Sequence, residues 1–326
     1  MRTNRPRRRS KSNTMRLLGR EAPRGYEFAA RAREKLRIVV TDRLPRPQPN
    51  VRQPALDASA LQEALADLGV EPGDTLMVAS SWEHASAVAA SPVALVQTLL
   101  GLLGPEGTLC MPAYPVLLPG AAFDLRRTPS RAGLVTEIFR RMPGVRRSAQ
   151  LSSVAAVGPR ADELLGQHHL SPYASGPLSP HAKIAETGGK VLCLGVGAEY
   201  NTLLHCAEDF LQKDFPAPVY EDGLRDIEVV HDDGTRSQVQ AYQRAARWQY
   251  CADGVRLMKY FEDLLSRRSI ASKEASLVAA DAFLERVLLL AERGIHMYGF
   301  RFPPVTRTLS AVPRAGGQGR QSGPRG

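Results

Sequence analysis

The sequence predicts a layered α/β/α domain with a central mixed, largely parallel sheet. Over residues 55–300, short apolar runs typical of buried strands alternate with segments whose apolar residues recur at helical spacing. This alternation is typical of α/β domains, in which helices cover both faces of a sheet. Hydrophobic residues make up 43% of the 326-residue chain, which is enough for a large core and excludes wholesale disorder.

The first half of this domain is predicted from leucine spacing and capping residues. Leucines recur at helical spacing just before Gly69, which ends the first helix. Ser91 and Pro92 are a cap and a first-turn proline, and Ser130 is the expected cap of a third helix. The predicted elements are helices 59–68, 91–103 and 130–141 and strands 75–79, 107–111 and 153–157.

The second half contains the strongest strand signal, the apolar run 190–196, and a predicted helix over 201–212. Asp232-Asp233-Gly234 follows two valines and predicts a hairpin turn. Residues 273–293 have a helical apolar pattern that ends at Gly294, so a long amphipathic helix is expected there.

The net charge of +10 is concentrated at the two ends of the chain. Twelve of the 43 basic residues lie in 1–20 and 307–326, which contain no acidic residue. Residues 21–306 therefore hold 31 basic and 33 acidic residues, a net charge of −2. A basic body suited to nucleic acid is thereby excluded, and neither a nucleic-acid nor a membrane partner is expected.

Composition also divides the chain into three regions. Residues 1–54 are basic and Pro-rich, 55–300 form the expected domain, and 301–326 are a basic tail without periodicity. We expect both ends to be largely disordered, with a short helix over 26–37; an organellar transit peptide is the less favoured alternative for the first residues. Four widely spaced cysteines and no apolar run of about 20 residues favour a cytoplasmic protein with free thiols.

Two glycine motifs do not carry nucleotide chemistry. Gly195-Val196-Gly197 follows a strand, but Tyr200 occupies the last position of the dinucleotide fingerprint, which favours an ordinary tight turn. Gly189-Lys190 is followed by Val191 instead of Ser or Thr, so a P-loop is rejected.

His205 and Glu208 are the most informative polar pair. Their spacing of three residues puts them on one helical face, where a carboxylate can orient the imidazole as a general base. The alternative is a histidine in the core whose carboxylate partner only satisfies its hydrogen bonds, and spacing alone favours this alternative. Cys206 points away from His205 and is interpreted as packing, and no set of metal ligands at known spacing is present.

Hydroxyl and backbone groups at strand ends and helix starts are natural anion sites. Ser80-Ser81 end a predicted strand, and residues 126–130 lead into a predicted helix. They suit a phosphorylated cofactor, although Ser130 also serves as an ordinary cap.

Taken together, the chain resembles the aminoglycoside 3-N-acetyltransferase family. The likeness runs in order through most of 55–300. It is carried by 72–81 (PGDTLMVASS), 103–112 (LGPEGTLCMP), 123–130 (FDLRRTPS), 153–158 (SVAAVG), 189–197 (GKVLCLGVG) and 201–208 (NTLLHCAE).

The resemblance implies transfer of an acetyl group from acetyl-CoA to a primary amine of an aminoglycoside or a related amino-sugar or biosynthetic intermediate. His205 would be the general base, a task to which an imidazole is matched near neutral pH. The partner would be a small-molecule amine, with a homodimer left open. The positions expected to line the CoA site are Ser80, Ser81, Arg127, Thr128, Ser130 and Ser153.

Several positions depart from the family pattern. Residues 149–152 lack the usual His-Pro pair, and Ala79 stands where a histidine is common. The downstream carboxylate that would pair with the base falls on Gln249, or on Gln243 in another alignment. Glu208 or Asp253 is expected to take that role. A catalytically weakened member that acts as a ligand-binding or assembly protein is therefore the alternative function.

Overall fold

The computed structural model describes residues 56–118, 120–245 and 252–298. The predicted N-terminal extension, the helix over 26–37, the C-terminal tail and Gln249 lie outside these residues. In the described ranges, no helix is long and apolar enough to cross a membrane.

A seven-stranded mixed sheet organises the domain, and the predicted fold class is confirmed. In spatial order its strands are β4 (Arg146–Arg147), β5 (Val154–Val157), β2 (Thr108–Pro112), β1 (Thr75–Ser80), β6 (Lys190–Leu194), β10 (Lys273–Ala279) and β9 (Ser266–Ile270). The central strands β2, β1 and β6 run parallel, with Met77 opposite Cys110 and Val191. The outer strands pair antiparallel on both sides.

Helices cover both faces of this sheet. They are α1 (Ala58–Leu68), α2 (Trp82–Ala85), α3 (Pro92–Leu103), α4 (Leu134–Phe139), α5 (Ala161–Leu165), α6 (Pro180–Glu186), α7 (Cys206–Leu211) and α8 (Ala280–Glu292). Alternate residues of β1 point to opposite faces. Leu76 and Val78 pack into the core beneath α1, α3 and α4, whereas Met77 packs into the core beneath α5 to α8.

A second, three-stranded sheet lies beside the domain. Its strands are β3 (Phe123–Asp124), β7 (Tyr220–Val230) and β8 (Arg236–Arg244). The β7–β8 turn falls at the predicted Asp-Asp-Gly sequence, where Gly234 adopts φ 83°. This sheet has its own small core, in which Phe123 and Val229 are fully buried.

Three predicted elements differ in the structure. The helix expected over 130–141 is wrong at its start, because α4 begins at Leu134 after Gly133 with φ 116°, and Ser130 does not cap it. The helix over 201–212 is a 3₁₀ turn, Thr202–His205, followed by α7.

The third difference is larger. The long helix expected over 273–293 is wrong in its first seven residues, which form β10. Strand β10 is held between β6 and β9, so its backbone groups pair with both neighbours. Helix α8 supplies the rest of the predicted helix, and Gly294 with φ 73° follows it.

Candidate active site

A cleft of about 1180 Å³ opens between the central sheet and the second sheet. We call it the central cleft. Its wall consists of residues 114–118, 120, 121, 131, 151, 152, 174, 175, 202, 205, 225–228, 238, 242–244 and 252. Ligand pockets in proteins are commonly about 300–1,000 Å³, so this cleft is large enough for two substrates.

His205 reaches the cleft from the junction of a 3₁₀ turn and α7. The side chain of Asn201 caps this turn by accepting a hydrogen bond from the Leu203 backbone N–H. The side chain of His205 is 37% exposed and lies in the cleft wall. Cys206, the next residue, is fully buried on the other side, as its position on the helix predicts.

Glu208 is the carboxylate that the structure brings to His205. Nδ1 of His205 lies 3.1 Å from Oε1 of Glu208. The Glu208 side chain is 1% exposed, so it lies directly behind the imidazole and away from solvent. Both members of the predicted pair are therefore in place for the imidazole to act as a base.

Two further residues hold the Glu208 carboxylate. Arg244 donates from Nε to Oε2, and the Tyr298 hydroxyl donates to Oε1. Burial opposes ionisation of Glu208, but Arg244, His205 and Tyr298 outweigh it and lower its pKa to about 2. Glu208 is consequently ionised at neutral pH.

Arg244 bridges to a second buried acid, Asp209. Its Nη2 atom donates to Oδ1 of Asp209 at 2.9 Å, and this oxygen also accepts a hydrogen bond from the Tyr220 hydroxyl. The Ser175 backbone N–H donates to the other oxygen. Burial, together with the negative charge of Glu208, raises the pKa of Asp209 to about 6 in spite of Arg244.

Asp253, the other candidate partner of His205, is also buried. Its backbone N–H donates to the Met297 carbonyl at 2.7 Å. Nδ1 of His205 contacts Glu208, and a catalytic role of Asp253 stays a prediction.

The expected CoA positions fall into two groups. Ser80 ends β1, and Ser81 follows it with its hydroxyl 3.5 Å from Nδ1 of His84. Gly133 lies against the Ser80 carbonyl, so the turn that contains Ser130 meets the end of β1. The Arg131 backbone N–H donates to the Tyr114 carbonyl and joins this turn to the cleft wall.

The other positions are engaged differently. The Arg127 side chain is 90% exposed. Thr128 is buried and its hydroxyl accepts from the Asp124 N–H at 3.0 Å. Ser153 is fully buried and donates to the Ser148 carbonyl at 2.7 Å. Their contact with CoA stays a prediction, and Thr128 and Ser153 would have to exchange these internal bonds to make it.

Sequence reasoning missed Asp209, Arg244 and Tyr298. Arg244 and Tyr298 lie 36 and 90 residues from Glu208, so no local spacing connects them. Asp209 was visible as an acid beside Glu208 on the same predicted helix. Gln243, one of the two amides noted above, lies in the cleft wall and donates to Glu221 at 3.2 Å.

The fold and this site define an α/β protein with a histidine–carboxylate pair at the edge of a deep cleft. The sequence profile of the family described as aminoglycoside 3-N-acetyltransferase matches residues 77–290, and the chain belongs to this family. The family uses acetyl-CoA as its acetyl donor.

Individual relatives agree with this assignment. Aminoglycoside N(3)-acetyltransferase IV from Salmonella sp is 36% identical over 188 residues, which are 56% of this chain and 71% of that protein. Aminoglycoside N(3)-acetyltransferase III from Pseudomonas aeruginosa is 33% identical over 60% of this chain and 81% of that protein. Among solved structures, the apoenzyme of aminoglycoside acetyltransferase AAC(3)-IVa superposes with a TM-score of 0.62 at 30% identity, covering 74% of this chain and 91% of that one.

Proposed function

We propose that this chain is an acetyl-CoA-dependent N-acetyltransferase that acts on a primary amine of an aminoglycoside or a related amino-sugar. The observation that carries the proposal is the cleft-facing His205 imidazole backed by the buried, ionised Glu208. Relatives support the acceptor class, since a mutant of AAC(3)-IVa, 28% identical with a TM-score of 0.59, is solved in complex with apramycin.

The reaction needs a base because an amine is protonated near neutral pH and cannot attack in that form. Nδ1 of His205 donates to Glu208, which leaves Nε2 as the proton acceptor of the ring. Nε2 first accepts a proton from the ammonium form and passes it to solvent, and the neutral amine then forms a bond to the thioester carbonyl carbon as Nε2 takes a second proton from the nitrogen. The C–S bond then breaks, and the proton can pass from His205 to the departing CoA sulfur.

For the donor, we propose that Ser80, Ser81 and the turn around Ser130 contact CoA. They lie together at the end of β1, and this turn is bonded to the cleft wall through Arg131. The Arg127 side chain is exposed and would place its positive charge near a phosphate of CoA. Thr128 and Ser153 are buried and act through the packing of the same region.

The remaining expectations belong to the same proposal. Residues 55–300 form the catalytic domain, the protein works in the cytoplasm, and its partner is a small molecule and not nucleic acid. A homodimer is compatible with this scheme and is tested by sedimentation of the purified chain.

The decisive experiment compares His205→Ala with wild type. Thiol release from acetyl-CoA is measured with a panel of aminoglycosides and amino-sugars, and CoA binding is measured by calorimetry. Because a positioned general base contributes roughly 10²–10⁴-fold, His205→Ala should lose about that factor while CoA still binds. His169→Ala, which changes an exposed histidine outside the cleft wall, is the matched control. Retained turnover in His205→Ala would remove this residue from the mechanism.

The second candidate is a weakened member that binds ligands without efficient turnover. It is favoured by the absence of a His-Pro pair from residues 149–152 and by a glutamine, Gln249 or Gln243, at the position of the family's downstream carboxylate. In the same assay this candidate predicts CoA binding by wild type without thiol release for any acceptor.

A further inference from the structure

Thr202 lies in the wall of the central cleft together with His205. The two residues begin and end the 3₁₀ turn Thr202–His205. In a 3₁₀ helix, side chains three residues apart lie one above the other, so both project from the same side of the turn. Leu203 and Leu204 between them are buried, whereas Thr202 and His205 are half-buried and line the cleft. A molecule bound at His205 therefore also meets Thr202.

A buried histidine fixes the direction of the Thr202 hydroxyl. His181, on α6, is buried, and its Nε2 lies 3.1 Å from the Ser152 carbonyl oxygen. Because a carbonyl oxygen can only accept a hydrogen bond, the ring hydrogen is on Nε2. Burial lowers the pKa of His181 to about 3, so the ring holds no second hydrogen at neutral pH. Its Nδ1, which lies 3.2 Å from Oγ1 of Thr202, is consequently an acceptor.

The Thr202 oxygen therefore presents an acceptor site to the cleft. A hydroxyl has one hydrogen and two acceptor lone pairs, and the hydrogen of Thr202 is directed at Nδ1 of His181. Sδ of Met77 lies 3.6 Å from the same oxygen, but a thioether is a weak acceptor. Tyr114 is also hydrogen-bonded to Thr202 and takes at most one of the lone pairs. The other lone pair can accept a hydrogen bond from a ligand.

The attacking form of an amine carries the groups that this arrangement needs. A neutral primary amine has two N–H groups and one lone pair. The lone pair must face the thioester carbon, and one N–H must face Nε2 of His205, which takes that proton. The second N–H stays on the nitrogen, and leaving it without an acceptor in a closed site is unfavourable. A secondary amine has only one N–H and would place an alkyl group in that second position.

We propose that Thr202 accepts a hydrogen bond from the second N–H of the reacting amine and thereby selects primary amines. His181 is a positioning residue that acts through Thr202, because it takes the hydroxyl hydrogen and leaves the oxygen as an acceptor. This inference rests on the proposed acetyl transfer and adds a specificity-determining residue to it.

The test measures kcat/KM for thiol release with apramycin and with its derivative that carries one methyl group on the acetylated nitrogen. Thr202→Val removes the hydroxyl at nearly constant volume, and Thr202→Ser retains it. Because one hydrogen bond to the reacting nitrogen is lost, Thr202→Val should lower kcat/KM for apramycin roughly tenfold, with the KM for acetyl-CoA unchanged. Wild type and Thr202→Ser should prefer apramycin over the methylated derivative, and Thr202→Val should lose most of this preference.

Thr187→Val is the matched control. It removes a hydroxyl that donates to the Ile184 carbonyl at 3.1 Å, outside the cleft wall. It should leave both kcat/KM values unchanged. If Thr202→Val does not fold, Thr202→Ala removes the same hydroxyl and gives the same comparison.

The other outcomes each overturn the inference. An equal loss for both acceptors in Thr202→Val would mean that Thr202 acts on the fold or on His205 and not on the nitrogen. A raised KM for acetyl-CoA would place Thr202 at the donor, and unchanged kinetics would give it no role. If wild type releases no thiol with apramycin, the proposed transfer fails for this acceptor. Calorimetry then decides the inference, because Thr202→Val should weaken apramycin binding roughly tenfold, and unchanged binding would overturn it.

Discussion

Arg244→Met tests the buried charge cluster beneath the candidate active site. The Arg244 side chain is 15% exposed, and the two carboxylates it bonds, Glu208 and Asp209, are each 1% exposed. Methionine keeps much of the length and apolar stem of arginine but removes the only cation that contacts both acids among the described residues. We expect a large loss of stability that grows as the pH rises.

The magnitude follows from the burial of all three groups. Removing one partner of a buried ion pair costs about 3–5 kcal/mol, because a buried charge is left uncompensated. Asp209 can relieve this cost by taking up a proton, since its pKa is already raised to about 6 in the presence of Arg244. A raised carboxyl pKa means that the folded state binds the proton more tightly than the unfolded state does. The penalty is therefore smallest below about pH 4 and is complete above the folded pKa.

The measurement is the free energy of unfolding in urea at pH 5.5, 7 and 8.5. Arg236→Met is the matched control, because its partner Glu228 is 40% exposed and surface pairs contribute about 0–1 kcal/mol. Adding Asp209→Asn to Arg244→Met should recover part of the loss at high pH, since it removes one of the two uncompensated charges. A loss below about 1 kcal/mol, or one that does not depend on pH, would refute this account of the cluster.

Two other predictions concern regions away from the cleft. Burial lowers the pKa of His168 to about 4, and its ring nitrogens are hydrogen-bonded to Ser148 and to the Ala174 carbonyl. The neutral ring is therefore favoured in the folded state, so the free energy of unfolding should be highest above about pH 6.5 and should fall as the pH drops towards 4. By pH 5 this residue should cost about 2 kcal/mol, and unfolding of His168→Gln across this range should show a shallower pH dependence. In the β9–β10 turn, Ala271 and Ser272 adopt φ 46° and 62°, which is the left-handed region that favours glycine. Ser272→Gly should therefore raise the free energy of unfolding in urea by about 1 kcal/mol. An unchanged unfolding midpoint would contradict strain at this turn.

Local signals predicted most of the fold. The helix α3 begins after Ser91 and ends before Gly104 as expected, because its cap and its first-turn proline act on neighbouring backbone groups. The central strands were predicted from apolar runs, since strands buried on both faces need such residues throughout. These features depend on residues within a few positions of each other, which is why a single sequence is enough to find them.

Strand β10 shows where local signals fail. Its sequence from Lys273 includes Glu, Ala and Leu, which are good helix formers, and it continues directly into α8. These residues adopt an extended backbone because β6 and β9 offer hydrogen bonds on both sides, with Leu277 opposite Leu192 in β6. That pairing joins segments more than 80 residues apart and has no trace in the local pattern.

The candidate site shows the same division. His205 and Glu208 are three residues apart on one face, so their contact was predictable from spacing, and the structure confirms it. The groups that keep Glu208 ionised come from β8 and from the segment after α8. Spacing could therefore predict the contact between His205 and Glu208 but not what sets the charge of that carboxylate.

Arg244 links the candidate base, through Glu208, to the wall of the cleft. Its guanidinium stabilises the ionised form of the buried Glu208, which keeps a negative charge directly behind the imidazole of His205. The same guanidinium lies in the cleft wall. The carboxylate behind His205 thus owes its charge to a residue of the cleft wall that lies 36 residues away in the sequence.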